Sequence, residues 1–178
     1  MTHNSLGIFV AAVRADWEPL STNLVARCRA HLDALTASPV GEGWLASLLA
    51  ERPATRELHR EPEGFMLLAH AERRGLYRPP HDHGRAWVVY GVQSGILEVG
   101  TYVAVEDSCG RKLVRRETNL LRPGEARAYL PGDIHDTRCL TEDALVFRFT
   151  ERDLRHEDQV ERRVTRFVER DGEWFAPA

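Results

Sequence analysis

The chain has 178 residues, of which 43% are hydrophobic and 29% charged, and its formal net charge is −3. This size suits one domain with a sizeable core and leaves little room for a second. The slight acidic excess, with basic and acidic residues interspersed, offers no basic surface for nucleic acid. We therefore expect a single domain over residues 1–178 and no nucleic-acid partner.

The N-terminal residues and the cysteines bear on location. An apolar run from Leu6 to Val13 has no basic region before it and is too short to cross a membrane. We expect neither a signal peptide nor a membrane span. Cys28, Cys109 and Cys139 are an odd, widely spaced set without a CxxC pair. Such a set favours a reducing cytoplasm and argues against a disulfide framework or a structural zinc site.

Residues 1–52 are predicted to be helical because apolar residues recur there at helical spacing. The two apolar stripes are Leu6, Phe9, Val10 and Val13, and then Trp17, Leu20, Leu24, Cys28 and Leu32. A break at 38–41 precedes a shorter apolar segment from Trp44 to Leu49. We expect these helices to pack on a core.

Residues 64–150 are predicted to form the barrel core, since short β-branched and aromatic runs alternate there with turns. The predicted strands are 65–70, 87–92, 96–105, 112–118, 120–121, 126–130 and 144–149. Strands of this kind indicate a mainly β sandwich or barrel. Residues 151–178 begin with a charged segment, 151–159, that we expect to be solvated. They end in a hairpin around Asp171–Gly172.

His81 and His83 are the densest chemical feature, within the segment 78–84. In an extended strand, residues i and i+2 face the same side, so both imidazoles can point at one metal ion while Asp82 faces away. The alternative is a solvated strand on which two histidines fall close together by chance.

His135 adds a third candidate ligand. It follows a predicted strand and the turn at Pro131–Gly132. The turn directs the chain back into the sheet, so His135 can meet His81 and His83 across a barrel. Three converging imidazoles favour a metal site over a chance pair.

The two segments resemble the paired motifs of the cupin superfamily. The matching residues are Gly75, His81, His83 and Gly91 in the first motif, and Gly124, Gly132 and His135 in the second. The resemblance covers roughly residues 64–150. It implies a double-stranded β-helix, or jelly-roll barrel, here preceded by two or three helices, with the three histidines as metal ligands.

The chain departs from the cupin pattern at Trp87 and Val88, which stand where most cupins have a metal-binding glutamate. Three neutral histidines leave the full charge on a divalent ion, which favours anionic substrates. They also leave open positions for substrate and O2. A three-histidine iron site is similar to that of the thiol dioxygenases, with cysteine dioxygenase as the type. The resemblance implies Fe(II), with Zn, Mn or Ni as alternatives.

That family also places an arginine before the first barrel strands to pair with the substrate carboxylate. Arg56 lies at about the right distance before His81, and Arg60 is the next candidate; each is otherwise an ordinary solvated arginine. Val88 stands where the mammalian enzymes have their cross-linked cysteine. The family's Ser-His-Tyr relay has no counterpart in 146–150, which argues against cysteine or mercaptopropionate as the substrate.

Three further residues are candidates for contacts around the metal. The hydroxyls of Tyr90 and Tyr129 are expected to point at substrate or O2, unless the rings simply pack. Asp136 follows His135 and is a candidate to orient a ligand imidazole. Cys139 is expected to be a small buried residue.

The leading hypothesis from the sequence is a cytoplasmic Fe(II)-dependent dioxygenase of a small anionic substrate. It would act as a monomer or homodimer, with O2 as the second substrate and no membrane partner. One rival is another metal-dependent cupin enzyme, an isomerase, lyase or hydrolase. The second rival is a non-catalytic cupin that binds a small molecule.

Overall fold

The computed structural model describes residues 4–62, 64–108 and 110–177. Within them, three helices come first, namely α1 (Ser5–Asp16), α2 (Thr22–Thr36) and α3 (Gly43–Glu51). The strands that follow are β1 (Arg56–Arg60), β2 (Met66–Arg73), β3 (Tyr77–His81), β4 (Val88–Ser94), β5 (Leu97–Asp107), β6 (Gly110–Leu121), β7 (Ala126–Tyr129), β8 (Ile134–Cys139), β9 (Asp143–Thr150), β10 (Val168–Arg170) and β11 (Glu173–Phe175). A π-helix at His156–Val160 lies between β9 and β10.

The strands form two antiparallel sheets. The first sheet has the order β1-β2-β9-β4-β7, and the second has the order β10-β11-β6-β5-β8-β3. Strands that are distant in sequence, such as β2 and β9 or β3 and β8, lie side by side. This is the mainly β jelly-roll barrel with preceding helices that the sequence predicts, and the fold prediction is confirmed.

The helices pack on the outer face of the first sheet. Side chains alternate along β9, so Phe147 and Phe149 face the helices and join Leu24 and Leu32 of α2 in one core. Helix α2 begins where the Ser21 hydroxyl accepts a hydrogen bond from the backbone of Leu24. The prediction that the second stripe begins at residue 17 is therefore wrong, since Trp17 and Leu20 precede this cap and are 37% and 52% exposed.

The opposite face of the first sheet looks into the barrel. There Val88, Tyr90 and Val146 form a second core with Val99 of β5. Arg148 lies on this inner face, between Val146 and Thr150 on β9. The inner face therefore carries polar side chains as well as apolar ones, and these face the histidines.

Strands β1 and β8 are not among the predicted strands, because their sequences are largely polar. Strand β3, which contains Pro79 and Pro80, lies where the prediction for His81 and His83 assumes extended backbone. Strand β6 runs unbroken through both segments predicted at 112–121. The expectation that 151–159 is solvated is wrong for Glu157, which is 1% exposed. The predicted terminal hairpin is present as β10 and β11.

Two further observations concern the expected location. Among the described residues, no helix is both long and apolar enough to cross a membrane. Cys28 and Cys139 are buried and free, and Cys109 lies outside the described residues. Burial raises the pKa of the Cys28 thiol to about 12, so this thiol stays protonated.

Candidate metal centre

The structure brings His81, His83 and His135 together. Their ligand nitrogens all lie within 4.8 Å of one another, and the three ring centroids are 4.9 to 5.0 Å apart. His81 ends β3 and pairs in register with His135 on β8. The i, i+2 interpretation expects both histidines on one strand. In the structure β3 ends at His81, and His83 lies in the loop that follows. The imidazoles therefore converge from a strand end, a loop and a facing strand.

The environment of these histidines suits a metal ion. His135 is fully buried, yet neither of its ring nitrogens has a hydrogen-bond partner among the described residues. Buried polar atoms normally have a hydrogen-bond partner, so an unpartnered nitrogen here is suited to bind a metal ion. The Nδ1 of His81 lies 2.8 Å from the carbonyl oxygen of Pro79. Nδ1–H donation to that carbonyl leaves the Nε2 lone pair free to bind the ion.

The protonation states fit the same role. Burial lowers the pKa of all three histidines, with the largest effect at His83 and His135. A lowered pKa keeps an imidazole neutral, which is the form that binds a metal ion. The neighbouring imidazoles lower the pKa values of His83 and His135 further, since two positive rings would repel each other. The group can therefore hold a divalent first-row transition metal.

A C-terminal segment, which we call the strap (residues 151–167), holds the loop that carries His83. The carboxylate of Asp82 accepts hydrogen bonds from the backbone of Gly84 at 3.0 Å and of Thr165 at 2.8 Å. The buried carboxylate of Glu157 accepts one from the backbone of Arg85 at 3.4 Å. The loop is thus fixed by two carboxylates, one of its own and one from the strap.

Gly84 is required where the loop meets the strap. Its φ of +62° lies in the left-handed region that favours glycine. A Cβ atom there would lie 2.9 Å from the Cβ of Arg163 and 3.1 Å from an oxygen of Glu157. The close approach of strap and loop therefore depends on this residue.

A cavity of about 590 Å³ opens beside His81 and His83. Four arginines line it, Arg78, Arg148, Arg155 and Arg166. Among the described residues only one lining carboxylate, that of Asp158, faces them. The cavity is therefore cationic even before a metal ion adds its charge, and it favours an anionic ligand. A larger cleft of about 760 Å³ lies elsewhere and includes none of the three histidines.

Arg148 is the arginine best placed to meet a ligand. It pairs in register with Tyr90 on β4, whose hydroxyl lies 3.5 Å from Nε2 of His83. Its Nε is buried without a partner, and no carboxylate of the described residues forms an ion pair with it. Arg78, by contrast, is paired with the buried carboxylate of Glu72. Sequence reasoning missed Arg148, although alternation along 144–150 places it inside the barrel.

The structure places Arg56 and Arg60 away from the histidines. Arg56 pairs with Glu51 at the end of α3. Arg60 pairs with Glu57 and with Asp153, each at 2.8 Å. Neither arginine lines the cavity beside His81 and His83. Both lie on the edge strand β1, so distance along the sequence was a poor guide to their position relative to the histidines.

Tyr90 and Tyr129 lie against the histidines. The Tyr129 ring centroid is 4.3 Å from that of His135, and the Tyr90 centroid is 5.6 Å from it. The Tyr129 hydroxyl is buried without a partner among the described residues. Burial raises the pKa of both phenols. Both tyrosines therefore present a protonated hydroxyl, which can donate a hydrogen bond inside the barrel.

The sequence makes Asp136 a candidate to orient a ligand imidazole, but its side chain lies on the other side of β8. Successive strand residues face opposite sides, so Asp136 points away from His135's side of β8. Its carboxylate accepts hydrogen bonds from the Tyr77 hydroxyl at 3.0 Å, from Arg115 at 2.9 Å and from the backbone of Gly100 at 2.8 Å. Asp136 therefore anchors β8 from behind and acts on the position of the strand.

No family model matches the sequence, and comparison with curated proteins finds no match. Among solved structures, KdgF from Halomonas sp. is 25% identical, with a TM-score of 0.45 over 56% of this chain and 79% of that one. The Schizosaccharomyces pombe Cnp3 cupin domain is 11% identical, with a TM-score of 0.45 over 59% and 63%. An oxalate oxidase in complex with glycolate is 24% identical, with a TM-score of 0.42 over 55% and 50%. These scores are low, so the chemistry of the site is inferred from its own side chains.

Proposed function

We propose that the chain is an iron(II)-dependent dioxygenase that converts the thiolate of a small carboxylate-bearing substrate to a sulfinate. The observation that carries the proposal is the arrangement around one cavity. His81 and His83 line it with His135 close behind them, and Arg148 lies in its wall with no carboxylate partner among the described residues. A ligand with one anionic group for the metal ion and another for a guanidinium complements both features.

His81, His83 and His135 would hold the metal ion. When bound, iron(II) supplies open positions at which the thiolate and O2 meet, together with the electron transfer between them. The absence of a carboxylate among these ligands leaves the ion's charge undiminished, which favours binding of a thiolate over a neutral thiol.

The other side chains orient the substrate. Arg148 binds the substrate carboxylate through its planar fork, since no carboxylate of the described residues occupies it. Tyr90 is the register partner of Arg148 and its hydroxyl lies 3.5 Å from Nε2 of His83, so it would lie between the two anionic groups of such a substrate. Burial of His83 and His135 excludes bulk water from the inner side of the cavity.

Dioxygenation suits this cavity better than isomerisation or elimination, because those reactions require a general base near the substrate. Asp158 is the one carboxylate among the described lining residues, and both its oxygens accept hydrogen bonds from Arg166, at 2.6 and 2.7 Å. Dioxygenation of a thiolate needs no such base. The O–O bond breaks, two S–O bonds form, and the four electrons lost by sulfur reduce O2, so no further reductant is needed.

Oxygen uptake tests the proposal. Protein loaded anaerobically with Fe(II) is mixed with O2 and a panel of thiols of graded size, with and without a carboxylate. We expect one O2 consumed per sulfinate formed, only with carboxylate-bearing thiols. Arg148→Gln should raise KM about 100-fold, which corresponds to about 2.7 kcal/mol of lost binding. Arg116→Gln, on the exposed face of β6 and outside the cavity lining, is the matched control.

Two results would refute the proposal. One is the absence of oxygen uptake with every thiol while the iron remains bound, which would favour a non-catalytic binding protein. The other is equal uptake by the wild type and Arg148→Gln with carboxylate-bearing thiols. Turnover with bound zinc or manganese and without O2 would point instead to another type of metal-dependent enzyme.

A further inference from the structure

A second chamber lies behind Arg148. It has a volume of about 230 Å³ and shares Arg148, Leu154 and Arg155 with the cavity beside the histidines. Met66, Leu68 and Thr150 line it from the inner face of the first sheet, and the remaining lining residues are Thr55, Glu57, Arg60 and Asp153. Two spaces that share three wall residues can receive two parts of one ligand.

Strand register shows how the two spaces are arranged. Arg148 on β9 pairs with Tyr90 on β4 at one side and with Leu68 on β2 at the other. Tyr90 is the neighbour that contacts His83 and His135. Neighbouring side chains on adjacent strands thus form a row that starts at the histidines and continues through Tyr90 and Arg148 to Leu68. Arg148 therefore stands at the junction, and the second chamber lies on its far side from the histidines.

The second chamber has an apolar inner wall and a charged outer side. Met66, Leu68 and Leu154 supply the apolar surface. On the outer side Arg60 forms ion pairs with Glu57 and Asp153, so these three charged groups largely satisfy one another. Met66 and Leu68 are buried, and they are the register partners of Thr150 and Arg148. The Thr150 hydroxyl and the Arg148 Nε are both buried without a hydrogen-bond partner among the described residues. A ligand in this chamber would gain apolar contacts with Met66 and Leu68, and it would meet two polar atoms that the protein leaves unused.

We propose that this chamber is a specificity subsite for an alkyl group attached next to the substrate carboxylate. The carboxylate binds Arg148 at the junction, the thiolate reaches towards the histidines, and the alkyl group packs on Met66 and Leu68. The subsite rests on the proposed function in assigning the carboxylate to Arg148. It also accounts for a substrate larger than cysteine or mercaptopropionate.

Titration calorimetry with acetate, butanoate and hexanoate tests the subsite without substrate turnover. These probes carry the carboxylate and the alkyl group but no thiol, so neither iron nor O2 is required. Each methylene that enters an apolar chamber should tighten binding about fourfold. Leu68→Trp should fill the chamber and reduce the ratio of hexanoate to acetate affinity to about one. Arg148→Gln should weaken binding of all three probes.

The controls separate this subsite from other causes. Leu120→Trp, on the partly exposed β6, should keep the wild-type dependence on chain length, and Met66→Trp replaces Leu68→Trp if the latter does not fold. Equal affinity for the three probes in the wild type would overturn the subsite. So would an unchanged chain-length dependence in the folded chamber variants, because the alkyl group would then lie beside the histidines. A dependence that Leu68→Trp abolishes supports the subsite even if no thiol is oxidised, so the two proposals fail separately.

Discussion

Replacing Glu157 by Gln should weaken metal binding as well as stability, because Glu157 joins the strap to the loop that carries His83. Its carboxylate is buried, lies 3.2 Å from Arg152 and 3.7 Å from Arg163, and accepts the hydrogen bond from Arg85. Gln keeps the shape and one acceptor oxygen but removes the charge. Metal affinity should therefore fall, since it depends on how firmly the loop presents His83.

The size of the effect follows from these contacts. Hydrogen bonds to charged groups contribute about 1.5–3 kcal/mol. Arg152 and Arg163 keep other carboxylate partners, Glu151 at 2.6 Å and Glu161 at 2.8 Å, so the lower end of this range applies. We expect the free energy of unfolding of the metal-free protein to fall by about 1.5 kcal/mol. Metal affinity should fall about 10-fold, at the lower end of the effect of groups that support metal ligands.

Two assays separate the roles of Glu157. Chemical denaturation of metal-free protein gives the stability, and competition with a chelator well below the unfolding transition gives the metal affinity. Glu169→Gln, on the exposed strand β10, is the matched control and should change neither quantity. Lower stability with unchanged metal affinity would refute the link between strap and ligand, and would leave Glu157 a purely structural residue.

Two further predictions concern buried polar groups. Burial lowers the pKa of His70 to about 3, whereas its ordinary pKa is near 6.5. Between pH 3 and pH 6.5 the unfolded chain therefore binds one more proton at His70 than the folded chain does. Stability is lost as the pH falls through this range. His70→Gln should reduce the pH dependence of the free energy of unfolding by up to about 1.4 kcal/mol per pH unit. Urea denaturation between pH 4 and 6 measures this dependence. An unchanged slope of unfolding free energy against pH would show that His70 titrates normally in the folded chain. Gly100→Ala should destabilise the protein by about 1–3 kcal/mol, because a Cβ there would lie 2.5 Å from the Asp136 carboxylate. Gly41→Ala, whose Cβ meets nothing within 4 Å, is its control in thermal unfolding, and equal melting temperatures would contradict the predicted clash.

The histidine cluster could be predicted from the sequence because short sequence patterns identify each of its three members. His81 and His83 are two residues apart, and His135 follows a Pro-Gly turn, so short-range patterns locate all three. The jelly-roll fold followed from the same motifs together with the short strands. The helices were also predictable, except where the cap at Ser21 begins α2 later than the apolar spacing suggests.

The surroundings of the cluster were harder to predict because they depend on register between distant strands. Arg148 gains its significance only when β9 pairs with β4 and places it beside Tyr90. Arg56 lies before the barrel in sequence, but its ion pair with Glu51 holds it at the outer edge. The buried Glu157 lies within a charged stretch whose composition indicates solvation, and only the close approach of the strap at Gly84 explains its burial.

Binding of one metal ion by the three histidines is the premise on which the proposed function rests. Anaerobic Fe(II) titration, followed by chelator competition, should give one ion per chain in the wild type. Each of the variants His81→Ala, His83→Ala and His135→Ala should lose at least 100-fold in affinity while remaining folded. Binding of Fe(II) to His135→Ala with wild-type affinity would contradict the account, because it would place the ion outside the histidine cluster.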